Sequence, residues 1–479
     1  MTKLILSAGF FLLAITSVAF SQPDSIYAFA PDVKITESGE YDGTSFGFAS
    51  TGGHYTAYRG DTVYVIWQES RDNPFGTWIL FARSNDGGKT FGPNVIAAGG
   101  LYPSMRADSA GIIYLVYQNG GDIFFRKSTN GGISFGTRVR VTDDTLSPAS
   151  QETPAIAVNN KGQIFVTWLD YRTDPYSTFA SASYDGGLTF TPNVQVNEPG
   201  TSGAPGDIAA DDSGKVYVAY GGTSEGRRGL IIACSPDSGQ SFTYRTFADD
   251  TLWEGGTASL AISGPMVGAA WTGTRVVNNN LEITMRFSVS LNCGQTFSTS
   301  VRVDDDSDLT LGTNPSKPSL AIRNAIFYVA WMRPDISGPS KILFSYSFDS
   351  GQTFSPNIDV NANTTDPNNQ FRQMPSLAIN DAGKAFVAWS DGRYLGQVGD
   401  TWLLFGTSGK FIQLLKGDLN LDELLTAADV VMQLNAVFAG QSFPAPFRNA
   451  DGNCSGNLSP ADLVLLLNAV FQSVPFPCS

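Results

Sequence analysis

The sequence predicts a mainly β chain that is built from seven equivalent sheet units and followed by a small helical unit. An eight-residue phrase, Ser-x-Asp/Asn-x-Gly-x-Thr/Ser-Phe, occurs six times between residues 84 and 354, at intervals of 44 to 57 residues. A run of strand-forming residues that ends in an aromatic residue occurs seven times. Repetition at this period is typical of chains whose units bury their apolar faces only against their neighbours.

The eight-residue phrase, called the octet below, is expected to form a tight turn between two strands. Its acid or amide at the third position can accept hydrogen bonds from backbone N–H groups just ahead, and Gly at the fifth position tolerates a positive φ. The Thr or Ser hydroxyl can bond back across the turn, and the Phe enters the core. The octet therefore predicts a structural role rather than a catalytic one, because its polar groups are used in the hydrogen bonds of the turn. The six copies begin at Ser84, Ser128, Ser183, Ser235, Ser290 and Ser347.

The octet resembles the Asp-box, or BNR repeat, of sialidases and related β-propellers. The resemblance implies a propeller whose octets join the third and fourth strands of each blade, on the face opposite any substrate pocket. The aromatic-terminated runs predict seven four-stranded blades over about residues 30 to 415, with six blades, the number in sialidases proper, as the alternative. The segment 402–411 looks like a seventh octet without its acid, and residues 32–36 could add an outer strand to the last blade.

Composition agrees with a large exported β protein. Charged residues make up 15% of the chain, and the formal net charge of -14 argues against nucleic acid, because no basic stripe could neutralise phosphates. Residues 1–21 combine one Lys with an apolar stretch and small residues before Gln22, which indicates a signal peptide, with an uncleaved anchor as the alternative. We therefore expect a secreted, extracellular or cell-surface protein without a membrane span, with the propeller over residues 22–415.

Residues 416–479 contain two loops of regularly spaced oxygen ligands, each followed by a predicted helix. The ligands take positions 1, 3, 5, 9 and 12 of an EF-hand-type loop, the arrangement that gives calcium its six to eight oxygens. Polar loops before amphipathic helices are the alternative. Glu423 stands where the first loop should have Gly, so this turn must adopt a positive φ or deform. The predicted ligands are Asp418, Asn420, Asp422, Thr426 and Asp429, and Asp451, Asn453, Ser455, Ser459 and Asp462.

The two loops and their helices are near copies spaced 33 residues apart, and together they resemble a type I dockerin. This resemblance implies a small all-α calcium-binding domain that docks to a cohesin-type module on a scaffold or cell-surface protein. The apolar helix residues divide between the small core and the partner. They include Leu434, Val437, Leu466 and Val470.

Four cysteines would lie in an oxidising compartment. Cys454 and Cys478 flank the last predicted helix and could form a disulfide that ties the chain end to the preceding loop. Cys234 ends a strand of the fourth blade and Cys293 lies inside the fifth octet, and whether these two pair is left open.

The loops between the second and third strands carry a second recurring phrase, in which a Trp is followed by a carboxylate and an Arg. One interpretation is a ring of Arg and carboxylates that holds an anionic or hydroxylated sugar. The other, favoured because the phrase repeats, is an Asp–Arg pair that braces each loop. The arginines are Arg71, Arg172 and Arg393, with Arg275 as a partial copy.

A sialidase would need further residues. That family uses three Arg, a Tyr–Glu nucleophile, an Asp acid and usually an Arg-Ile-Pro segment, which this sequence does not contain. Tyr394 is the nearest candidate nucleophile, and the single histidine, His54, is expected at the surface and argues against a Ser-His-Asp triad. The candidate acids are Glu69, Asp170 and Asp391.

Two functions follow from these observations. The first is a propeller that binds a glycan or a protein and is attached through its dockerin to an extracellular complex. The alternative is a glycoside hydrolase, exo-sialidase-like, that acts in polysaccharide or glycan catabolism.

Overall fold

Seven antiparallel sheets are arranged in a ring around a central channel in the computed structural model. The structure describes residues 25–36, 54–69, 76–144, 150–224, 226–249, 254–277, 280–305, 315–334, 340–360, 372–392, 403–413, 415–442, 445 and 447–477. The innermost strands of neighbouring sheets contact one another around the whole ring, including the last sheet against the first. The fold is therefore a seven-bladed β-propeller, and the six-bladed alternative is wrong.

The strands of each blade follow one another in chain order from the channel outwards. Two strands precede the first blade: β1 (Ser25–Phe29) and β2 (Val33–Lys34). Blade 1 contains β3 (Thr56–Arg59), β4 (Thr62–Glu69), β5 (Trp78–Ser84) and β6 (Val95–Gly99). Blade 2 contains β7 (Leu101–Ala107), β8 (Ile113–Asn119), β9 (Asp122–Ser128) and β10 (Val139–Arg140). Blade 3 contains β11 (Gln151–Val158), β12 (Ile164–Asp170), β13 (Ser177–Ser183) and β14 (Val194–Gln195).

The remaining blades have the same order. Blade 4 contains β15 (Gly203–Ala210), β16 (Val216–Ser224), β17 (Arg227–Ser235) and β18 (Tyr244–Phe247). Blade 5 contains β19 (Glu254–Ser263), β20 (Met266–Val277), β21 (Asn280–Ser290) and β22 (Val301–Arg302). Blade 6 contains β23 (Ser316–Arg323), β24 (Ile326–Arg333), β25 (Lys341–Ser347) and β26 (Ile358–Asp359). Blade 7 contains β27 (Arg372–Ile379), β28 (Ala385–Asp391) and β29 (Leu403–Gln413).

Blade 7 takes its outer strand from the start of the described chain, which closes the ring. Strand β1 pairs with β29 along its whole length, from Ser25 opposite Gln413 to Phe29 opposite Gly409. The expected outer segment 32–36 also pairs with β29, through the two residues of β2 and through a hydrogen bond from Ile35 N to Leu404 O. The expected seventh octet does not form, because residues 403–413 are one continuous strand. Since the fourth strand comes from the other end of the chain, no turn is needed there.

The octets form the turns between the third and fourth strands of blades 1 to 6, as predicted. In the first octet, Ser84 Oγ donates to Asp86 Oδ1 at 2.7 Å, and Thr90 donates to the same carboxylate from both its backbone and its hydroxyl. These bonds from Ser84 and Thr90 lower the pKa of Asp86 to about 2. The fifth residue of all six octets has a positive φ: Gly88, Gly132, Gly187, Gly239, Gly294 and Gly351.

The octets also bind neighbouring blades together. A Cβ atom at Gly132 of blade 2 would lie 2.0 Å from the ring of Phe81 in blade 1, and one at Gly88 would lie 2.3 Å from Phe386 in blade 7. The absence of a side chain therefore lets an aromatic ring of the preceding blade close against the turn. Within blade 1 the octet also binds the hairpin between β3 and β4, since Gly87 N donates to Asp61 O. Innermost strands therefore run towards the octet face.

The blade cores contain the aromatic residues that end the second strands. Five tryptophans there are fully buried: Trp67, Trp168, Trp271, Trp331 and Trp389. Burying an aromatic side chain of this size contributes strongly to stability, because each removes roughly 150–250 Å² from water.

A helical segment follows the propeller. It contains α1 (Ala427–Ala439), α2 (Phe447–Ala450) and α3 (Pro460–Gln472). Helices α1 and α3 begin at equivalent caps, Thr426 and Ser459, each in a reciprocal capping box with an Asp three residues later. Glu423 adopts a φ of 66°, as its position in the first loop required. No described helix is both long enough and apolar enough to cross a membrane.

Candidate functional site

The channel mouth on the face opposite the octets is shaped by a distortion that recurs from blade to blade. The innermost strands of blades 2 to 7 each contain a register shift near their start. In four blades the shifted residue precedes a proline and has a φ of 50 to 56°, a conformation that is uncommon for non-Gly residues. Because the distortion recurs, it belongs to the scaffold. It places Tyr102, Thr153, Lys317 and Met374 around the mouth.

Three tyrosines and one glutamate lie together on this face, between blades 2 and 3. We call Tyr102, Glu152, Tyr171 and Tyr176 the tyrosine cluster. The rings of Tyr171 and Tyr176 are 6.0 Å apart, and these side chains are 46% and 41% exposed. Burial and the nearby Glu152 carboxylate raise the pKa of both Tyr102 and Tyr171. Both phenols therefore stay protonated at neutral pH and can donate hydrogen bonds.

A cavity of about 270 Å³ continues from the tyrosine cluster across blades 3 to 5. Tyr176 forms one wall and Arg228 of blade 4 another, and Arg228 is the only charged residue among those that line it. Much of the lining is glycine backbone. A Cβ at Gly222 would lie 2.7 Å from Ser202 O, so the shape of the cavity depends on glycine. This groove joins exposed aromatic rings, backbone polar groups and one guanidinium.

Each of the three candidate acids accepts a hydrogen bond from the tryptophan indole of its own strand. Trp67 donates to Glu69 at 2.9 Å, and the equivalent bonds to Asp170 and Asp391 are 2.8 and 3.0 Å long. All three carboxyl side chains are fully buried. In blades 1, 3 and 7 the recurring Trp-x-acid phrase therefore forms a hydrogen bond within the blade.

The candidate arginines that the structure describes are also paired. Arg172 donates to Asp170 of its own blade at 2.9 Å and to Asp143 of blade 2 at 2.8 Å. Arg275 pairs with Glu282 across the β20–β21 hairpin at 2.7 Å. These contacts are those that the bracing interpretation expects. The remaining candidates, Arg71, Arg393 and Tyr394, lie outside the described residues.

The central channel contains a polar cluster that breaks the repeat. The first paired position after the register shift of the innermost strand is Ser in blades 2, 5, 6 and 7. These residues are Ser104, Ser259, Ser319 and Ser376. Blade 4 has Asp207 at this position. Like Ser259, which accepts Leu320 N, Asp207 accepts the backbone N–H of the next blade, from Leu260 at 2.8 Å.

Asp207 also reaches two other blades. Its Oδ2 lies 2.6 Å from His54 Nε2 of blade 1, and its Oδ1 lies 3.8 Å from Arg106 Nη2 of blade 2. The expectation that His54 lies at the surface is wrong, since only 10% of its side chain is exposed. The carboxylate that binds it is buried in the strand of another blade, a contact that local sequence does not reveal.

Burial and the charge of Arg106 lower the pKa of His54 below its ordinary value. Burial alone would raise the pKa of Asp207, but the interaction with His54 and the charge of Arg106 together hold it below its ordinary value. At neutral pH His54 is therefore uncharged. It donates from Nε2 to an ionised Asp207 and keeps the lone pair on Nδ1.

The cysteines of the propeller are free. Cys234 and Cys293 do not form a disulfide. Cys478 lies outside the described residues, so its pairing with Cys454 stays a prediction.

The predicted calcium loops bury their first and last carboxylates. Asp418, Asp429 and Asp462 are fully buried, and Asp451 is 6% exposed. Their oxygens accept backbone N–H groups of their own loops, such as Leu419 N to Asp429 at 2.8 Å. Within the described part of the chain, no three acidic, His or Cys side chains come together as a metal-binding group.

Sequence patterns did not point to Tyr102, Glu152 or Asp207. Tyr102 and Glu152 lie beside the recurring X-Pro step, and the residue that precedes each of these prolines differs between blades. Asp207 stands where blades 2, 5, 6 and 7 have Ser. In each case the signal was a unique residue at a repeated position, which blade-by-blade alignment of the innermost strands would have isolated.

Comparison with known proteins gives matches at the level of structure. No family model and no curated protein matches the chain. A polysaccharide lyase described as a PL25 ulvan lyase is 12% identical, with a TM-score of 0.51 and coverage of 78% of this chain and 95% of that chain. The polysaccharide lyase Uly1 is 10% identical, with a TM-score of 0.50 and coverage of 78% and 93%. A Hadza microbial sialidase is 13% identical, with a TM-score of 0.41 and coverage of 72% and 73%.

The two lyases share the propeller fold with this chain. Their identity is too low to transfer a site, and the TM-score of the sialidase is too low to carry an argument. The comparisons therefore agree with the observed propeller fold. Any argument about its chemistry rests on the geometry of the groove.

Proposed function

We propose that the face opposite the octets binds and processes a carbohydrate, with glycoside hydrolysis as the class of reaction. The tyrosine cluster that opens into the glycine-lined groove carries this proposal. The two proteins of similar fold that are described as polysaccharide lyases are in keeping with a carbohydrate ligand.

The groove offers the groups that a sugar requires. Exposed rings such as Tyr171 and Tyr176 present an apolar face to sugar C–H groups and a phenol to its hydroxyls. Arg228 could hold an acidic substituent by paired hydrogen bonds. Glu152 and Tyr102 supply a carboxylate and a phenol within electrostatic range of each other, the pair of groups that the sialidase resemblance had sought at Tyr394. In this proposal Glu152 acts as the acid–base residue.

The proposal is tested with the full chain on a panel of fluorogenic glycosides, including a sialoside, and on polysaccharides with detection of reducing ends and of unsaturated products. Turnover that falls at least a hundredfold in Glu152→Gln would support hydrolysis. Tyr244 is an exposed tyrosine on the outer strand of blade 4 and serves as the control. Glycan binding that weakens in Tyr171→Ala but not in Tyr244→Ala would support the groove as the binding site. Unsaturated products would replace hydrolysis with elimination, and the absence of binding to any glycan would overturn the proposal.

We also propose that the C-terminal unit binds calcium and docks to a cohesin-type module, attaching an exported propeller to an extracellular complex. Three pairs of residues 33 positions apart are apolar and exposed in both helices: Val431 and Val464, Leu434 and Leu467, and Phe438 and Phe471. Of the helix residues assigned to core or partner, Leu466 is buried and Leu434 is 45% exposed. Leu434 can thus contact a partner, whereas Leu466 packs in the core.

The loop residues fit a calcium ion. Burial and the charge of Asp429 raise the pKa of Asp418, so two buried carboxylates repel each other in the first loop, and a divalent cation would relieve this repulsion. Amide and hydroxyl oxygens of the same loops would complete the ligand set.

Calorimetric titration of the full chain with calcium should show two sites. The double variant Asp429→Asn/Asp462→Asn should lose the heat, and cohesin capture should require calcium. Glu282→Gln, which removes a carboxylate of the propeller, serves as the control. If calcium gives no heat and no gain in helicity, the dockerin proposal is wrong, and this result leaves the carbohydrate proposal unaffected.

A further inference from the structure

The central channel contains a second cavity of about 280 Å³ in its octet-face half. Its walls come from all seven innermost strands, and it includes residues from the ends of these strands such as Ile262, Ile322 and Ile379. The cavity is separate from the groove beside Tyr176, because the two share no lining residue.

The walls of this cavity are chemically divided. The lining residues of blades 3 to 7 are all aliphatic, with Ile208, Leu260 and Leu377 among them. The lining residues of blades 1 and 2 include two guanidinium groups and one imidazole, from Arg59, Arg106 and His54. An apolar wall therefore faces a cationic one across the channel.

The cationic side of the cavity lacks an exposed counter-charge among its lining residues. Asp207 of blade 4 is fully buried and is not part of the lining. Its Oδ2 already accepts from His54 and Leu260, and its Oδ1 is 3.8 Å from Arg106, too far for a hydrogen bond.

Arg106 is the group that a ligand would meet. Within the described chain, the one hydrogen bond of its guanidinium is to Met105 O at 3.1 Å, and 24% of its side chain is exposed. Burial lowers the pKa of Arg106 to about 10, so the group is still charged at neutral pH. A partly buried guanidinium with unused donors favours an anion with two parallel oxygens.

We propose that this cavity binds a small aliphatic carboxylate, with the carboxylate on Arg106 and the alkyl chain against the aliphatic wall of blades 3 to 7. The Arg106 guanidinium would donate hydrogen bonds to the carboxylate, and the aliphatic wall would remove the alkyl chain from water. The volume suits a ligand of about six to ten non-hydrogen atoms, since pockets for drug-sized ligands start near roughly 300 Å³. The site is independent of the carbohydrate groove and of the C-terminal unit.

The test measures binding of hexanoate to the full chain by calorimetry and by the shift in thermal unfolding temperature. Hexanol and hexylammonium share the chain without the carboxylate, and inorganic phosphate is an anion without the chain. We expect hexanoate to bind at least tenfold more tightly than any of the three. Hexanol lacks the charge-assisted bond, hexylammonium carries the same charge as Arg106, and phosphate lacks the alkyl chain that the aliphatic wall would bury.

Two variants change the site in different ways. Arg106→Gln removes the charge and should weaken hexanoate binding roughly tenfold or more. Ala378→Leu fills the apolar side without altering charge and should also weaken binding, which keeps the test valid if Arg106→Gln does not fold. Arg83→Gln, a change to an arginine that binds Gly131 O outside the channel, should leave binding unchanged.

The proposal is overturned if hexanol binds as tightly as hexanoate, if hexanoate does not bind, or if Ala378→Leu binds it as the natural chain does. Phosphate binding as tight as that of hexanoate would show an anion site without selectivity for an aliphatic chain, and would also overturn it.

Discussion

His54 of blade 1 and Asp207 of blade 4 are joined across the central channel by a contact of 2.6 Å, the only histidine of the chain meeting the one acid among the aligned inward positions. These blades are separated by two others on one side of the ring and three on the other. Because the contact spans the channel, it restrains the ring in a way that contacts between adjacent blades do not.

This contact should make stability depend on pH. The lowered pKa of His54 means that the unfolded chain takes up a proton more readily than the folded one as pH falls below about 6.5, so stability decreases on acidification. Asp207, whose pKa is also lowered, adds a second loss as pH falls below about 3.8.

Replacement of His54 by Gln keeps an amide donor for Asp207 but removes the titration. We expect His54→Gln to lose less stability than the natural chain between pH 7.5 and pH 5, measured by urea unfolding. His54→Ala should destabilise the chain at pH 7.5 by about 1–3 kcal/mol, because it leaves a buried carboxylate short of a donor. Equal pH dependence in the natural chain and in His54→Gln would contradict this account.

Two octet glycines with almost the same φ provide a matched pair. Gly132 has a φ of 88° and Gly239 one of 85°, so alanine meets the same backbone strain, roughly 1–2 kcal/mol, at both positions. The added Cβ would lie 2.0 Å from Phe81 in the first case but 3.4 Å from Phe165 in the second.

Gly132→Ala should therefore cost about 1–3 kcal/mol more than Gly239→Ala, because it alone forces an aromatic ring of the preceding blade to move. Denaturant unfolding of both variants measures the difference. If the two variants unfold alike, the octets act as turns only and do not join blades through these rings.

Substitution of Asp170 in blade 3 tests whether this acid braces its loop or takes part in catalysis. Asp170 is fully buried and accepts from both Trp168 and Arg172, so Asp170→Asn breaks a buried ion pair and should cost about 3 kcal/mol. The exposed pair of Arg275 and Glu282 is the control, and Arg275→Gln should cost less than about 1 kcal/mol.

The bracing interpretation further expects Asp170→Asn to keep its affinity for any glycan found in the substrate panel, measured well below its unfolding temperature. A folded variant that loses binding or turnover would instead place Asp170 in the site. Calorimetry on the intact variant distinguishes these results from loss of fold.

Much of the propeller could be predicted because its signals are local. The octet specifies its own turn through bonds within eight residues, such as Thr90 to Asp86, and its fifth residue must be Gly. The strand runs that end in Trp or Tyr are likewise visible in sequence, since the aromatic side chain is buried within its own blade. The number of blades followed from counting these runs.

The channel could not be predicted in the same way, because its contacts join residues far apart in sequence. His54 and Asp207 are separated by 153 positions, and nothing near either residue indicates the other. The tyrosine cluster likewise depends on a strand shift that turns Tyr102 towards the mouth. The Trp-x-acid phrase recurs and is therefore visible in the sequence, whereas the residues that form the groove occur once.

Closure of the ring should depend on the hydroxyl of Tyr27 in β1. This hydroxyl donates to Gly409 O at 3.0 Å and accepts from Ala385 N at 2.9 Å, and both partners belong to blade 7. Tyr27→Phe keeps the ring and leaves the two backbone groups buried without this partner, so we expect a loss of about 1–3 kcal/mol. Tyr346→Phe is the control, because its hydroxyl forms no hydrogen bond with a described residue although its ring packs 5.8 Å from that of Tyr27.

Limited proteolysis distinguishes release of β1 from a general loss of packing, because only the release makes β1 the first site of cleavage. In Tyr27→Phe, the released β1 should be cleaved before the rest of the propeller, since the bonds that hold its middle residue to blade 7 are gone and strand pairing alone remains. Tyr346→Phe should be cleaved at the rate of the natural chain. If β1 stays protected in Tyr27→Phe, the backbone pairing with β29 is sufficient to close the ring, and the hydroxyl bonds are not needed for closure.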